Sequence, residues 1–333
     1  MTLDLPLLWA GIVALAVLVY VILDGFDLGV GILFPFIKSE VGRDQMMNSV
    51  APVWDGNQTW LVLGGGALFA VFPLAYAIMM PALYVPIIVM LLALIFRGVA
   101  FEFRWKTSRK YLWDWSFAGG SIAAAAAQGI ALGALVQGIP VAGRAYAGGW
   151  WDWITPFSLL TAVALVVGYA LLGATWLIYK TEGDVQRAAY RIAWFAGTGT
   201  LALIGAVSLW TPFLNANYMA RWFSWPEALY AVPVPILVGL CALAFYRGLA
   251  TRRELTPFLA SLGFFVLSFI GLLISFYPYI VPSSVTIHDA VSPDNSLLFM
   301  LVGVVILLPI VLGYTAYSYW VFRGKVGETE GYH

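Results

Sequence analysis

The chain has 333 residues, of which 62% are hydrophobic and only 10% charged, and its formal net charge is zero. A soluble fold cannot bury so much apolar surface, and the balanced charge gives no sign of a nucleic-acid partner. The single cysteine, Cys241, excludes an internal disulfide and a cluster of thiolate metal ligands.

Nine apolar windows follow one another along the chain, each long enough to cross a bilayer core of about 30 Å. They predict an all-α integral membrane protein, with one transmembrane domain over 1–333 and no soluble domain. The predicted spans are 7–36, 50–72, 75–100, 113–137, 155–179, 190–212, 228–248, 256–280 and 296–322. Within the first span, Gly25 and Gly29 have the spacing of a close helix contact. The second and third spans are separated by little more than Pro73.

The basic residues are divided unequally between the loops. Loops after odd-numbered spans and the C-terminal tail carry fourteen of them, whereas loops after even-numbered spans carry two, Arg144 and Arg221. The positive-inside rule therefore predicts a cytoplasmic C-terminus and an external N-terminus.

Ionisable residues occur inside the first three predicted spans. Asp24 and Asp27 are three residues apart, on one helix face, in the first span. Asp55 lies near the start of the second span, Arg97 within the third, and Glu102 just beyond it. Charged groups in hydrocarbon are costly, so they usually face a bundle interior, a partner or a proton path. With a rise of about 1.5 Å per residue, the acids descend from Glu102 and Asp55 at the cytoplasmic side to the first-span pair.

The neighbours of Asp55 are also polar. In the sequence WDGNQT, Trp54, Asn57, Gln58 and Thr59 supply donors and acceptors that can bond the carboxylates or hold water. We therefore predict a proton path through the acids and Arg97, with these residues in support. The alternative is structural, with the acids capping a broken helix at the glycines or bonding to a partner subunit.

Heme ligation and catalysis by this chain alone are not expected. Its two histidines are His288, in a predicted outer loop, and His333, at the C-terminus, and neither faces a second histidine within the membrane. We expect no metal site and no catalytic residue here, because the CxxCH, HExxH, Walker and dinucleotide motifs are all missing from the sequence.

Several segments resemble subunit II of the cytochrome bd-type quinol oxidases, a family that includes cyanide-insensitive members. They are DGFDLGVG at 24–31, NSVAPVWDGNQTWL at 48–61, GGALFAVFP at 65–73, FRGVAFEFR at 96–104, FYPYIVPSS at 276–284 and LLPIVLGYTAYSYW at 307–320. Asp24 and Asp27 match the acids of the DGFD motif, Asp55 that of WDGNQ, and Arg97 the arginine of FRxxxF. Leu23 departs from the pattern, because a small hydroxyl residue can precede DGFD.

The resemblance implies nine helices, arranged as two four-helix bundles plus one peripheral helix, in the bacterial cytoplasmic membrane. It implies a partner, subunit I, that carries b-type and d-type (or only b-type) hemes and oxidises quinol. The complex would reduce oxygen to water and generate proton-motive force. This chain would support assembly of subunit I and contribute a cytoplasmic proton uptake path. Family members can also bind a structural quinone in this subunit, contact membrane lipid and include a small accessory subunit.

A proton-coupled membrane transporter is the alternative function. Its coupling site would use the same acids and Arg97. Transporters often show paired, interrupted helices in two corresponding halves. Here the membrane acids are confined to the first hundred or so residues, which favours the oxidase subunit.

Overall fold

The computed structural model describes residues 4–327, and this part of the chain is almost entirely helical. The helices are α1 (Leu5–Leu33), α2 (Glu40–Val50), α3 (Trp54–Val71), α4 (Pro73–Ala82), α5 (Tyr84–Phe103), α6 (Lys110–Gln137), α7 (Pro156–Lys180), α8 (Gly183–Trp210), α9 (Ala216–Phe223), α10 (Ala228–Ala231), α11 (Pro233–Ala250), α12 (Leu255–Phe276), α13 (Ile287–Ala290) and α14 (Asp294–Val321). Two short antiparallel hairpins lie in loops, β1 (Val141–Ala142) with β2 (Ala145–Tyr146) and β3 (Tyr279–Val281) with β4 (Val285–Thr286). The predicted all-α class is confirmed.

Eight helical segments of the described residues are long and apolar enough to cross a membrane. They are Leu5–Phe36, Tyr84–Lys106, Lys110–Gln137, Pro156–Lys180, Gly183–Phe213, Ala228–Ala250, Leu255–Phe276 and Asp294–Val321. Helices α3 and α4 meet the same criteria together but are bent by 119°. Counted as one broken span, this pair brings the number to the nine that the sequence predicts.

The structure differs from the predicted spans mainly around Pro73. In place of spans 50–72 and 75–100, α3 ends at Val71, α4 is a separate helix, and α5 begins only at Tyr84. Phe72 has φ −122° and ψ 61°, outside the helical region, because a following proline disfavours helical geometry. The other predicted spans agree more closely, the largest shift being the start of α8 at Gly183 instead of residue 190.

The long helices pack in two sets. In the N-terminal set, α1 packs against α3 and α6, and α6 also packs against α5. In the C-terminal set, α7 packs against α8 and α12, and α11 packs against α12 and α8. Helix α7 joins the sets because it also packs along α1 and α6. Helix α14 is peripheral, and Leu297 is its one buried residue. These contacts are compatible with two four-helix bundles plus a peripheral helix, an arrangement that stays a prediction.

Helices α1 and α7 cross in backbone contact. A Cβ atom added at Gly29 would lie 1.9 Å from the carbonyl oxygen of Tyr169, and one added at Gly173 would lie 2.2 Å from the carbonyl carbon of Gly29. Only glycine fits at such a distance, as at the small-residue contacts of membrane helices. The crossing at Gly29 lies within one helical turn of Asp27 on α1.

One end of the molecule gathers most of the basic residues, and we call it the basic end. It comprises α2, the α5–α6, α7–α8 and α11–α12 connections, and the segment after α14. Arg104 is fully buried there and bonds to Asp44 and Asp114, which ties α2 to α6. Lys325 donates to Glu254 at 2.6 Å, and this hydrogen bond lowers the pKa of the Glu254 carboxyl. The C-terminal segment is thereby attached to the α11–α12 connection.

Candidate functional site

A buried cluster forms where the Arg97 side chain of α5 reaches two acids of α1. Arg97 Nη1 lies 3.0 Å from Asp24 Oδ1, and Arg97 Nη2 lies 3.9 Å from Asp27 Oδ2. The three side chains are at most 1% exposed. The acids reach the same guanidinium because a spacing of three residues puts both on one face of α1. We call this group the acid–arginine cluster (Asp24, Asp27 and Arg97).

The charges of the cluster do not balance when every group is ionised. One guanidinium faces two carboxylates, so full ionisation leaves one negative charge uncompensated in a low-dielectric interior, which is costly. Asp27 Oδ1, Arg97 Nε and Arg97 Nη2 are buried and form no hydrogen bond with the described residues. One proton held on the two acids would make the cluster neutral.

Asn57 and Tyr319 cover the Asp27 side of the cluster. Asn57 Nδ2 donates to Asp27 Oδ2 at 2.7 Å and to the Leu23 carbonyl oxygen at 3.3 Å. The Tyr319 hydroxyl donates to Asn57 Oδ1 at 2.9 Å. A hydrogen-bonded row thus runs from peripheral helix α14 through α3 to the acids on α1. The sequence predicted a supporting role for Asn57 but gave no sign of Tyr319.

Two tyrosines and a glutamine, also missed by sequence reasoning, lie on the Asp24 side. The Tyr169 hydroxyl donates to Gln128 Oε1 at 2.7 Å, and Gln128 Nε2 donates to the Tyr20 hydroxyl at 2.8 Å. Tyr20 is one turn before Asp24 on α1. Gln128 offers a sequence signal, because it is a lone amide that ends a run of alanines within an apolar span.

Trp54 supports the helix that carries Arg97. Its ring stacks on Phe101, with centroids 4.7 Å apart, and reaches Gly98, where an added Cβ would be 3.3 Å away. The Arg97 guanidinium lies 5.7 Å from the centre of the same Phe101 ring. This predicted supporting residue therefore packs α3 against α5 beside the cluster.

The remaining predicted residues are not brought into the cluster. Asp55 is exposed, because residues two apart on a helix point to nearly opposite sides and Asn57 points inward. Glu102 is 66% exposed and pairs with Lys106. Thr59 bonds to the backbone of its own helix, and Gln58 is half-buried with its Nε2 atom unbonded. Within the described residues, no continuous side-chain path joins the exposed acids to the buried pair.

Known proteins match almost the whole chain. A family model described as cytochrome bd terminal oxidase subunit II covers residues 5–322. The chain belongs to this family. The cytochrome bd-I ubiquinol oxidase subunit 2 of Escherichia coli (strain K12) is 31% identical over 98% of this chain and 96% of its own length. The cytochrome bd ubiquinol oxidase subunit 2 of Bacillus subtilis (strain 168) is also 31% identical, over 97% of each chain.

A solved structure shows the same fold. A chain in the structure of bd oxidase from Geobacillus thermodenitrificans superposes with a TM-score of 0.73 at 18% identity, covering 96% of this chain and 99% of that one. The resemblance to the bd oxidase subunit II family is thus confirmed. As a member, this chain is a multi-pass membrane subunit of a heme-containing oxidoreductase complex, with at least one partner subunit. A transporter is not favoured.

The described residues of this subunit II do not fit a buried heme ligand. His288 lies in α13 with its side chain 58% exposed, and its Nε2 atom is 3.3 Å from Asp4. His333 lies outside the described residues. Within residues 4–327, no group of three or more His, Cys, Asp or Glu side chains could hold a metal ion.

Proposed function

We propose that this subunit II is the non-heme partner of a heme-bearing subunit I and conducts protons from the cytoplasm toward it. The complex would use electrons from quinol to reduce oxygen to water and so generate proton-motive force. Its b-type and d-type hemes, or b-type hemes alone, would lie in subunit I. The observation that supports proton conduction is the acid–arginine cluster, because a purely structural ion pair needs one acid for one arginine. The second acid is the group that can bind and release a proton.

The proposed route begins at the basic end, which the positive-inside rule places in the cytoplasm. Glu102, at the end of α5, and Asp55, in the first turn of α3, are exposed acids on this side. Asp27 would receive the proton beside Asn57, and Asp24 would be the next acid. Polar groups of subunit I, or water at the interface with it, would carry the proton between the exposed and the buried acids.

We also propose a role in assembly. Helices α3, α5 and α14 carry large exposed apolar side chains, among them Val62, Ile95 and Phe299. Such surface needs cover from lipid or from another membrane helix, and subunit I would supply part of it. A structural quinone and a small accessory subunit belong to this proposal, without residues assigned to them.

Replacing Asp27 or Asp24 by asparagine tests the proton route. Asparagine keeps the shape and hydrogen-bonding capacity of aspartate but cannot be ionised. In the purified complex, each Asn variant should keep its hemes and lose roughly tenfold or more of its oxygen consumption with quinol. Asp27→Glu should retain more activity, because its carboxyl survives. Asp184→Asn, an exposed acid of the basic end, is the matched control and should behave as wild type.

If the acids have only a structural role, the two substitutions should have a different effect. Asn would then be tolerated at both positions, and Glu would be the worse substitution because it adds volume to a packed interior. Wild-type turnover of both Asn variants, at wild-type heme content, would refute the proposed proton route.

A further inference from the structure

A three-residue hydrogen-bond chain adjoins the acid–arginine cluster on the side away from Asn57. It consists of Tyr20 on α1, Gln128 on α6 and Tyr169 on α7, and we call it the Tyr–Gln–Tyr chain. Tyr20 is 4% exposed and Tyr169 is fully buried. Buried polar groups of this kind are costly unless each donor and acceptor is used. The donors along the Tyr–Gln–Tyr chain are therefore expected to point in one direction.

Local packing fixes Tyr169 beside α1. A Cβ atom added at Gly25, the residue after Asp24, would be 2.8 Å from Cε1 of the Tyr169 ring. The glycine therefore makes room for the ring at the level of the acids. Phe265 stacks on its other side, with ring centroids 5.7 Å apart. The ring is held between α1 and α12, and its hydroxyl is directed at Gln128.

The bonding pattern determines where the Tyr20 proton points. The Tyr20 oxygen accepts from Gln128 Nε2, so its own O–H needs another acceptor. Asp24 Oδ2 is buried without a bond of ordinary geometry, and the Tyr20 hydroxyl lies beside this carboxylate. The reverse orientation, with Tyr20 donating to the amide, would leave that carboxylate oxygen without a donor. All groups are satisfied only when the donors run from Tyr169 through Gln128 and Tyr20 to Asp24.

The two acids of the cluster consequently differ. Asp24 faces Arg97 at 3.0 Å and has Tyr20 as a donor, whereas Asp27 is 3.9 Å from the guanidinium and has the neutral donor Asn57. Hydrogen bonds and close opposite charges favour the ionised form of a carboxyl group. Gln128 interrupts proton transfer along the Tyr–Gln–Tyr chain, because a neutral amide does not readily take up a proton and pass it on.

We infer that Tyr20, held in place by Gln128 and Tyr169, is a positioning residue that keeps Asp24 ionised and so directs the mobile proton of the cluster to Asp27. This inference rests on the proposed function in that the proton is one used in turnover. Its structural content, the distribution of one proton between two acids, can be tested separately.

Infrared spectra of the purified complex test that distribution through the carbonyl stretch of protonated carboxyl groups. The wild type should show a buried carboxyl band that shifts in Asp27→Glu and keeps its position in Asp24→Glu, because glutamate preserves the charge balance with Arg97. In Tyr20→Phe the share of proton on Asp24 should rise on the order of tenfold, because a hydrogen bond to a charged group is lost. The Asp24 carboxyl band that then appears should shift in Tyr20→Phe/Asp24→Glu. Tyr218→Phe is the control, because that hydroxyl is buried and donates at 2.8 Å to Val136 in a separate cluster.

Gln128→Leu tests whether the amide acts through Tyr20. It should produce the Asp24 band as well, and Tyr20→Phe/Gln128→Leu should be no stronger than Tyr20→Phe alone. The pH profile of turnover should change in Tyr20→Phe and not in Tyr218→Phe. A Tyr20→Phe spectrum identical to that of the control would overturn the inference. If both Asn variants of the acids kept wild-type turnover, the proposed function would fail, but the carboxyl bands would still decide where the proton resides.

Discussion

Arg97 is the residue that holds the acid–arginine cluster together. It is fully buried, and its charge is compensated by acids from a different helix. Removing one partner of a buried ion pair leaves a charge without compensation, and this typically costs about 3–5 kcal/mol. We therefore expect the Arg97 side chain to link α5 to α1 as well as to balance the charge of the acids.

Arg97→Gln should sharply reduce the amount of assembled complex, measured as heme per milligram of membrane protein. The cause is two carboxylates left without a cation, so the double variant Arg97→Gln/Asp24→Asn should recover part of the yield. Arg187→Gln is the control: this arginine is 73% exposed, and surface pairs contribute little. Normal assembly of Arg97→Gln alone would show that the guanidinium does not hold the acids.

The contents of this site were only partly predictable from the sequence. The spacing of Asp24 and Asp27 places both on one face, and their cost in hydrocarbon makes them conspicuous. Asp55 and Asn57 are both polar residues of one motif in the sequence. Only the orientation of α3 in the structure shows that Asn57 points inward and Asp55 outward. Tyr20 and Tyr169 look like ordinary interior aromatics until helix packing shows what their hydroxyls contact.

At the scale of helices, the crossing of α1 and α7 sets the geometry around the cluster. The sequence predicted a close contact from Gly25 and Gly29, and the structure adds the opposing Gly173 from a helix more than a hundred residues away. That partner could not be predicted, because the two helices are brought together by the packing of the whole chain. Pro73 was visible as an interruption, but the 119° bend beside it was not.

Gly29→Ala should destabilise the complex, because its Cβ would overlap the Tyr169 backbone and force the helices apart. Overpacking of this kind typically costs about 1–3 kcal/mol, and a lower melting temperature would report it. Gly11→Ala on the same helix is the matched control, since nothing lies within 4 Å of its added Cβ. Alanine favours helix formation, so the control should melt at or slightly above the wild-type temperature. Equal melting temperatures for the two variants would contradict the close crossing.

At the scale of the whole molecule, the polar groups are distributed asymmetrically. The basic end is joined by ion pairs and by the C-terminal segment, whose Val326 amide donates to the Lys180 carbonyl at 2.8 Å. The opposite end carries the two hairpins and short amphipathic helix α9. This asymmetry supports the proposed orientation in the membrane, in which Asp55 and Glu102 would lie on the side of the proposed proton uptake.

Reporter fusions test the orientation. Fusions after Lys110 and Arg253 should give a cytoplasmic signal, and fusions near Trp151 and Ser283 an external one. The structure places the first two sites at the basic end, so they should agree with each other. An external signal after Lys110 would reverse the membrane orientation and with it the direction of the proposed route.

Proton uptake by the complex in sealed vesicles is the most direct test of the cluster's role. After a pulse of oxygen to the quinol-reduced enzyme, pH should be followed on the side that carries the basic end. The wild type and the Asp184→Asn control should take up protons from that side with each turnover. Asp27→Asn, at full heme content, should take them up at least roughly tenfold more slowly. Uptake by Asp27→Asn at the wild-type rate would contradict the claim that the buried acids carry protons.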